Sequence, residues 1–326
     1  MATADQIKGL LKSHRDGDDG RFYAIALQVA AHASRQGHAN QAREIKHLID
    51  TAKDDESPAK GVLRKEHREH LSTDLMGVLR EIPSDVRLDQ MVLDAPTREK
   101  LLRVVLEQRQ QHLFRAYDLR PRRKLLLVGP PGAGKTMTAS VLASELGLPL
   151  YAILLDGLIT KYLGETASKL RMVFDAIGKN PGVYFFDEFD ALGARRATEN
   201  EVGEIRRVLN SFLQFIEQDQ SESLVIAATN HVDLLDRALF RRFDDVIEYR
   251  LPTDQLIQEV LKNRLHLFDT SRLQWAEVIE QARGLSYADI VKAGEEAAKE
   301  SLLNGEERLS TEGLRKALGD RKIHKS

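Results

Sequence analysis

Apolar positions along this chain recur with two different periods, and the places where the period changes mark its organisation. At the N-terminus the spacing is helical: Ile7, Leu10 and Leu11 form one stripe, Phe22, Ile25, Ala26, Val29 and Ala33 a second, and Ala42, Ile45, Ile49 and Ala52 a third. Asp19-Gly20 and Gly37-His38 separate them. Three short amphipathic helices over residues 1–55 bury little apolar surface by themselves, which suits an adaptor or recruitment module better than a catalytic one. A helical extension packed against the rest of the chain is the other reading. Lys53 to Arg68 is polar and holds Pro58 and Gly61, so residues 56–74 read as a linker. His67 and His70 within it stand at i, i+3 with no third ligand nearby, the pattern of a solvated helix rather than a metal site.

Leu75 to Asp94 is a mixed apolar segment expected to wrap onto a core. After Pro96 a helix is predicted through about Tyr117, with Leu101, Val104, Val105, Gln108 and His112 on or near one face. Then short apolar runs alternate with helical stripes. The runs are Leu125–Val128, Leu148–Leu154, Val183–Phe186, Leu224–Ala228 and Val246–Tyr249, and the clearest stripes between them are Ser168–Lys179 and Glu201–Glu217. This alternation predicts an α/β fold over residues 75–252, a parallel sheet with helices on both faces. From Thr253 on, strand signals stop, and residues 253–326 read as a separate helical subdomain in which Ser286–Asn304 is the clearest helix.

Composition narrows the class. The chain has 326 residues, 42% hydrophobic and 30% charged, which fits a soluble globular protein of two or three small domains. No apolar run approaches the ~20 residues of a membrane helix. The first residues lack a signal peptide's apolar centre, and the absence of cysteine removes disulfides and thiolate metal sites; both point to the cytoplasm. A net charge of −2 gives no global attraction for nucleic acid, though a local basic channel stays open. The basic run Arg120-Pro-Arg-Arg-Lys124 is expected to be a solvated connector.

The chemistry is concentrated in three stretches. Leu125 to Ser140 reads LLLVGPPGAGKTMTAS, and Gly129, Gly134, Lys135 and Thr136 satisfy G-x-x-x-x-G-K-[ST]. In such a loop the glycines let successive N–H groups turn toward phosphate oxygens, and the following helix adds the positive end of its dipole. The lysine supplies charge to the β- and γ-phosphates, and the hydroxyl can ligate Mg²⁺. The pattern arises by chance in roughly one chain in a hundred of this length, and the strand-before, helix-after context removes most of that remainder. The second stretch, Val183-Tyr-Phe-Phe-Asp187-Glu188, carries an acidic pair at a strand end, where Asp187 can meet Mg²⁺ and Glu188 can polarise a water for attack on the γ-phosphate. The third, Leu224 to Asn230, ends a strand in Thr-Asn and offers a polar amide to the γ-phosphate.

GPPGAGKT, FFDE, AATN and the ALFRRFD segment ending at Asp244 together resemble an AAA ATPase, of the branch that includes katanin, spastin and the proteasomal and membrane-remodelling ATPases. The resemblance covers about Leu93 to Leu318 and implies a P-loop NTPase sheet with a helical lid. It implies that Gly129, Pro130, Pro131, Gly132, Ala133, Gly134, Lys135, Thr136 and Met137 bind ATP, that Thr136 and Asp187 hold Mg²⁺, that Glu188 is the catalytic base, and that Asn230 senses the γ-phosphate. Arg241 and Arg242 match arginine fingers that reach a neighbouring subunit's nucleotide, which implies a homo-oligomeric ring, most often a hexamer.

There are departures. The usual Arg-Pro-Gly-Arg-Phe-Asp is shortened to Arg241-Arg242-Phe243-Asp244, and His231 stands where arginine is commoner. Gly284 to Ile290 resembles the lid segment over adenine and ribose, with Ala288 against the nucleotide, but Tyr287 replaces a usual glycine. Lys161, Tyr162 and Leu163 are similar to the pore loop with which such rings grip polypeptide, since an aromatic face packs on any sequence.

These readings predict an Mg²⁺-dependent ATPase that remodels, unfolds or threads a protein client. With neither H-E-x-x-H nor G-x-S-x-G in the sequence, any proteolysis would come from a separate protease, reached directly or through an adaptor. Two alternatives remain open on sequence: a nucleic-acid-remodelling ATPase, and a nucleotide-gated assembly scaffold.

Overall fold

The computed structural model describes residues 77–158, 163–189, 199–231, 237–306 and 308–323, with Val29 and Leu75. The chain divides into two compact units, residues 1–70 and 71–326. The three N-terminal helices and the linker expected from sequence lie outside the described residues, and the second unit carries everything below.

Its elements begin with β1 (Leu79–Ile82), α1 (Ala95–Arg109), α2 (Gln111–Ala116), β2 (Lys124–Val128), α3 (Lys135–Leu146) and β3 (Leu150–Ile153). There follow α4 (Leu155–Leu158), α5 (Leu163–Lys179), β4 (Val183–Phe186), α6 (Glu199–Gln218), β5 (Leu224–Thr229), α7 (Arg237–Phe240) and β6 (Asp245–Glu248). Four more helices end the chain: α8 (Asp254–Arg264), α9 (Trp275–Ala282), α10 (Tyr287–Leu303) and α11 (Thr311–Ile323).

The strands form one sheet in the order β1-β3-β4-β5-β2-β6. Every residue of β2, β3, β4 and β5 is buried, because both faces of the sheet are covered; that is why these strands read as unbroken apolar runs rather than alternating ones. Leu126, Val128, Tyr184, Phe186, Val225 and Ala227 point to one face, where α5 and α6 cover them with Leu170, Phe174, Phe212 and Ile216. Phe212 meets Phe186 and Phe189 with ring centroids 5.1 and 4.5 Å apart. Leu125, Leu127, Val183, Phe185 and Ile226 point to the other face, under Leu101, Val104 and Val105 of α1 and Val141 and Leu142 of α3. A third core, built around Ile257, Leu261, Val278, Ile290, Leu314 and Leu318, joins α8 to α11.

The sequence reading is corrected in three places. The sheet is not wholly parallel: β1, inside the segment read only as mixed and apolar, adds an antiparallel edge strand to β3, with Leu79 opposite Ile153 and Ile82 opposite Leu150. Four residues with only Leu79 fully buried give too little alternation to announce a strand. The long helix after Pro96 breaks at Gln110, so Leu101, Val104, Val105 and Gln108 are buried as expected while His112, past the break, is exposed. The basic connector is not solvated throughout, for Arg123 and Lys124 are buried. Arg123 makes an ion pair with Asp219 in which the side chains are 8% and 4% exposed. The Asp244 carboxylate accepts the backbone N–H groups of Arg123 and Lys124 at 2.9 Å each, and burial lowers the pKa of the Lys124 ammonium.

What the fold sets up for function is the position of β2. It lies between β5 and β6, parallel to both, so its C-terminal end opens at the sheet edge where β4 and β5 also end. Ligands of open α/β sheets bind at that edge.

Candidate functional site

The loop Gly129–Gly134 leaves β2 and turns directly into α3. Gly129 has φ +148° and sits so close to β6 that a Cβ there would lie 2.4 Å from the Tyr249 carbonyl oxygen. Gly132 has φ +73°, and a Cβ there would lie 2.5 Å from Ser286 Oγ at the start of α10. Both positions require glycine for conformation and for space. Helix α3 starts at Gly134 with no side chain capping it, so its first-turn N–H groups face the loop rather than a cap. Under the loop, the Tyr249 hydroxyl and Thr138 Oγ1 share a hydrogen bond of 2.5 Å, and burial pushes the Tyr249 phenol well above its usual range.

Lys135 is 6% exposed. Its ammonium donates to the carbonyls of Gly129 at 2.7 Å and Pro130 at 2.9 Å and to Asn230 Oδ1 at 2.8 Å. The lysine of the phosphate loop and the asparagine at the end of β5, 95 positions apart, therefore share one site. Thr136 Oγ1 donates to Asp187 Oδ2 at 2.9 Å, joining the loop to the end of β4. The other carboxylate oxygen of Asp187 accepts the Glu188 N–H at 2.9 Å. Glu188 has φ +48°, a left-handed backbone rare for a residue with a side chain and enriched at active sites.

This donor set fits magnesium. A hydroxyl and a carboxylate, both hard oxygens, meet beside a phosphate-shaped loop, and the described residues contain no cluster of three or more His, Cys, Asp or Glu that would cage a metal alone. Mg²⁺ is held in that manner, by one or two protein oxygens together with substrate phosphates and water.

The helical part closes over the same loop. The Ala288 N–H donates to the Gly132 carbonyl at 3.1 Å, and Ser286 caps α10 in a capping box with Asp289. Between the helices and the loop lies a cavity of about 300 Å³ whose wall includes Ala133, Gly134 and Met137. Sequence reasoning missed much of the rest of that wall: Gln90, Met91 and Val92 ahead of α1, and Val260, Asn263, Arg264 and Val291 in the helical part. These come from three separated segments with no motif among them, so only the fold could gather them. Tyr287, the departure noted above, lines the cavity, and its phenol is pushed up to about 12, first by burial and then by the charges of Asp94 and Glu259. It stays neutral at neutral pH.

Arg241 and Arg242 are exposed in the turn between α7 and β6. Because β6 runs parallel to β2 with Asp245 opposite Leu125, that turn lies at the N-terminal edge of the sheet, while the phosphate loop leaves the C-terminal edge. A strand of this length separates the two by roughly 15 Å. Lys161, Tyr162 and the Leu163 side chain lie outside the described residues.

Residues 125–251 match the model of the ATPase family associated with various cellular activities (AAA). The chain is similar to the uncharacterized AAA family ATPase y4kL of Sinorhizobium fredii, 34% identical over 98% of this chain and 96% of that protein. The proteasome-activating nucleotidase of Thermococcus onnurineus is 33% identical over 69% of this chain and 58% of its own length. The ATP-dependent zinc metalloprotease FtsH 3 of Sphaerobacter thermophilus is 35% identical over 68% and 46% respectively, so the chain spans about half of these last two relatives.

Proposed function

From the premise that this chain belongs to the AAA family of ATPases, and so binds ATP with Mg²⁺ and hydrolyses it, we propose that it works as a ring of identical subunits, a hexamer, in the cytoplasm. The ring couples hydrolysis to the remodelling, unfolding or threading of a protein client. One observation carries the reading: Arg241 and Arg242 stand at the sheet edge opposite their own phosphate loop, so an arginine presented by that turn serves a neighbour's nucleotide and not its own. The names of the two shorter matches, one a proteasome-activating nucleotidase and one an ATP-dependent protease, support a protein client.

In this reading Lys135 exchanges its loop carbonyls and Asn230 for the β- and γ-phosphates, whose charge repays the loss of three neutral acceptors. Thr136 and Asp187 would hold Mg²⁺, which would supply positive charge against the phosphates. Glu188 accepts the proton of the attacking water, and Asn230, released from Lys135, turns its amide to the γ-phosphate. A neighbour's arginine then meets the charge that develops, a contribution worth ~10³–10⁵ in rate. Tyr162, with Lys161 and Leu163, grips the client, and the N-terminal helices recruit it or an adaptor. Proteolysis, where it follows, belongs to another chain.

The test is specific ATP turnover measured across a dilution series, with and without an unfolded protein, and with DNA in its place. Turnover should fall on dilution and rise with the protein. A rate independent of concentration would sink the ring, and stimulation by DNA alone would sink the protein client.

A further inference from the structure

The residues Arg241-Arg242-Phe243-Asp244 occupy one turn, yet their side chains are not equivalent. Phe243 is buried in the core under α5 and α6. Asp244 is bound to the start of β2 through the two backbone N–H groups at 2.9 Å. The Arg242 guanidinium is ion-paired with Glu217, in the last turn of α6. That end of α6 is fixed in turn, because Asp219 just beyond it holds the buried Arg123. Arg241 is the fourth side chain; it is exposed and, among the described residues, has no hydrogen-bond or ion-pair partner.

We infer that the two arginines do different work: Arg241 is the group that reaches the neighbouring nucleotide, and Arg242 is a positioning residue that acts through Glu217 to set the direction in which the turn presents Arg241. The inference rests on the ring reading above. Arg242 must release the Glu217 carboxylate before its guanidinium can clamp a phosphate, whereas Arg241 has no such contact to break among the described residues. Arg242 and Glu217 are 39% and 55% exposed, so the pair contributes little to folding. Its effect should appear in catalysis, since a displacement of ~1 Å in a reacting group can cost about 10²-fold.

The experiment is full-length chain carrying Arg241→Ala, Arg242→Ala, Arg242→Glu, Glu217→Ala, or the swap Glu217→Arg with Arg242→Glu. On each, kcat and KM for ATP and the unfolding temperature are measured at saturating subunit concentration. Arg241→Ala should lose at least about 10²-fold in kcat. Arg242→Ala and Glu217→Ala should each lose about tenfold, with KM and unfolding temperature near wild type. The swap should recover most of the rate that Arg242→Glu loses. A glutamate cannot act as an arginine finger, so recovery identifies a positioning role, while a swap as slow as Arg242→Glu overturns it. So does Glu217→Ala at the wild-type rate. Should the swapped protein not fold, Glu217→Gln decides: it should match Arg242→Ala at unchanged stability, and a wild-type rate overturns the inference. Failure of the ring reading looks different, with Arg241→Ala fully active and wild-type turnover unchanged on dilution.

Discussion

The two edges of the one sheet are built by different rules. At the C-terminal edge the chemistry comes from contiguous runs: six loop residues and the first turn of α3, then two acidic residues after β4, then one amide after β5. At the N-terminal edge the structure comes from side chains that meet partners far away in sequence, Arg123 with Asp219, the Asp244 carboxylate with the N–H groups of Arg123 and Lys124, and Arg242 with Glu217. The difference follows from what each edge must do. Phosphate is bound largely by backbone N–H groups, whose placement is set by local φ and ψ, so glycine spacing alone specifies it. Charge compensation at the other edge needs side chains from elements that meet only after folding.

The comparison breaks most sharply if the C-terminal edge is not where catalysis happens. On the proposed reading Lys135→Ala should abolish ATP binding, because the phosphates would lose a buried ammonium held in the loop. Glu188→Gln should keep binding and reduce kcat by about 10²-fold or more, because only the proton acceptor is lost. Nucleotide affinity by calorimetry beside phosphate release separates the two, and equal loss of binding in both variants would reassign Glu188.

The second largest effect belongs to the opposite edge and should be one of stability alone. Asp219→Ala strands the Arg123 guanidinium in a site where the side chains are 8% and 4% exposed. Leaving one member of such a pair uncompensated costs about 3–5 kcal/mol. In a unit of this size that lowers the unfolding temperature by on the order of 10 °C. ATP affinity measured well below that temperature should be unchanged. An unaltered unfolding temperature would mean that water already reaches Arg123.

This contrast explains what was legible in the sequence. The strands β2 to β5 announced themselves, because burial on both faces leaves unbroken apolar runs, whereas β6 buries only Ile247; the motifs also named residues that meet at the end of β2, where Lys135 reaches Asn230 and Thr136 reaches Asp187. The roles proposed for these residues come from the resemblance to AAA ATPases, and the geometry brings Lys135, Thr136, Asp187, Asn230 and Ala288 to one loop. Strand β1 was not legible, since four residues on an edge with one fully buried side chain carry almost no pattern. Nor was the burial of Arg123 and Lys124, because a charge run looks the same whether its partners lie in solvent or about 100 residues downstream. The cavity wall at Gln90, Asn263 and Arg264 was missed for the same reason.

A smaller effect lies between the edges, under the phosphate loop. Tyr249→Phe removes the hydroxyl that shares 2.5 Å with Thr138 Oγ1, while Thr138 keeps the Gly134 carbonyl at 3.1 Å. The Thr138 hydroxyl therefore stays hydrogen-bonded, with Met91 Sδ also at 3.8 Å, and the cost should be about 1 kcal/mol. If the loop depends on this brace, the loss should appear in ATP affinity, as a few-fold rise in Kd. If it appears only in unfolding temperature, Tyr249 serves the core and not the loop, and the local character argued for the C-terminal edge is strengthened.

The smallest effect tests whether far-apart charge pairing extends beyond the sheet, to the helical part. Asp269, in the loop after α8, accepts the Ser271 N–H at 2.9 Å and the Arg308 Nε–H at 2.9 Å. Hydrogen bonds from Ser271 first, and then Arg308, hold its carboxyl at about 2, below the ordinary value near 3.8. The direction of the linkage follows: a carboxylate whose pKa is depressed by folding stabilises the folded state at every pH above its unfolded pKa, and that stabilisation fades as pH falls from about 4 toward 2. The Asp269 side chain is exposed, so solvent screens these contacts and the effect on unfolding temperature should be slight. Asp269→Asn should be a little less stable than wild type at neutral pH, and the gap should narrow as the pH drops through that window. Raised salt should shrink the part of the gap that comes from Arg308 and leave the part from the Ser271 backbone. A gap that is constant from pH 7 to pH 2 would mean that Asp269 acts as a turn residue through its shape, and pairing between distant charges would then be confined to the N-terminal edge of the sheet.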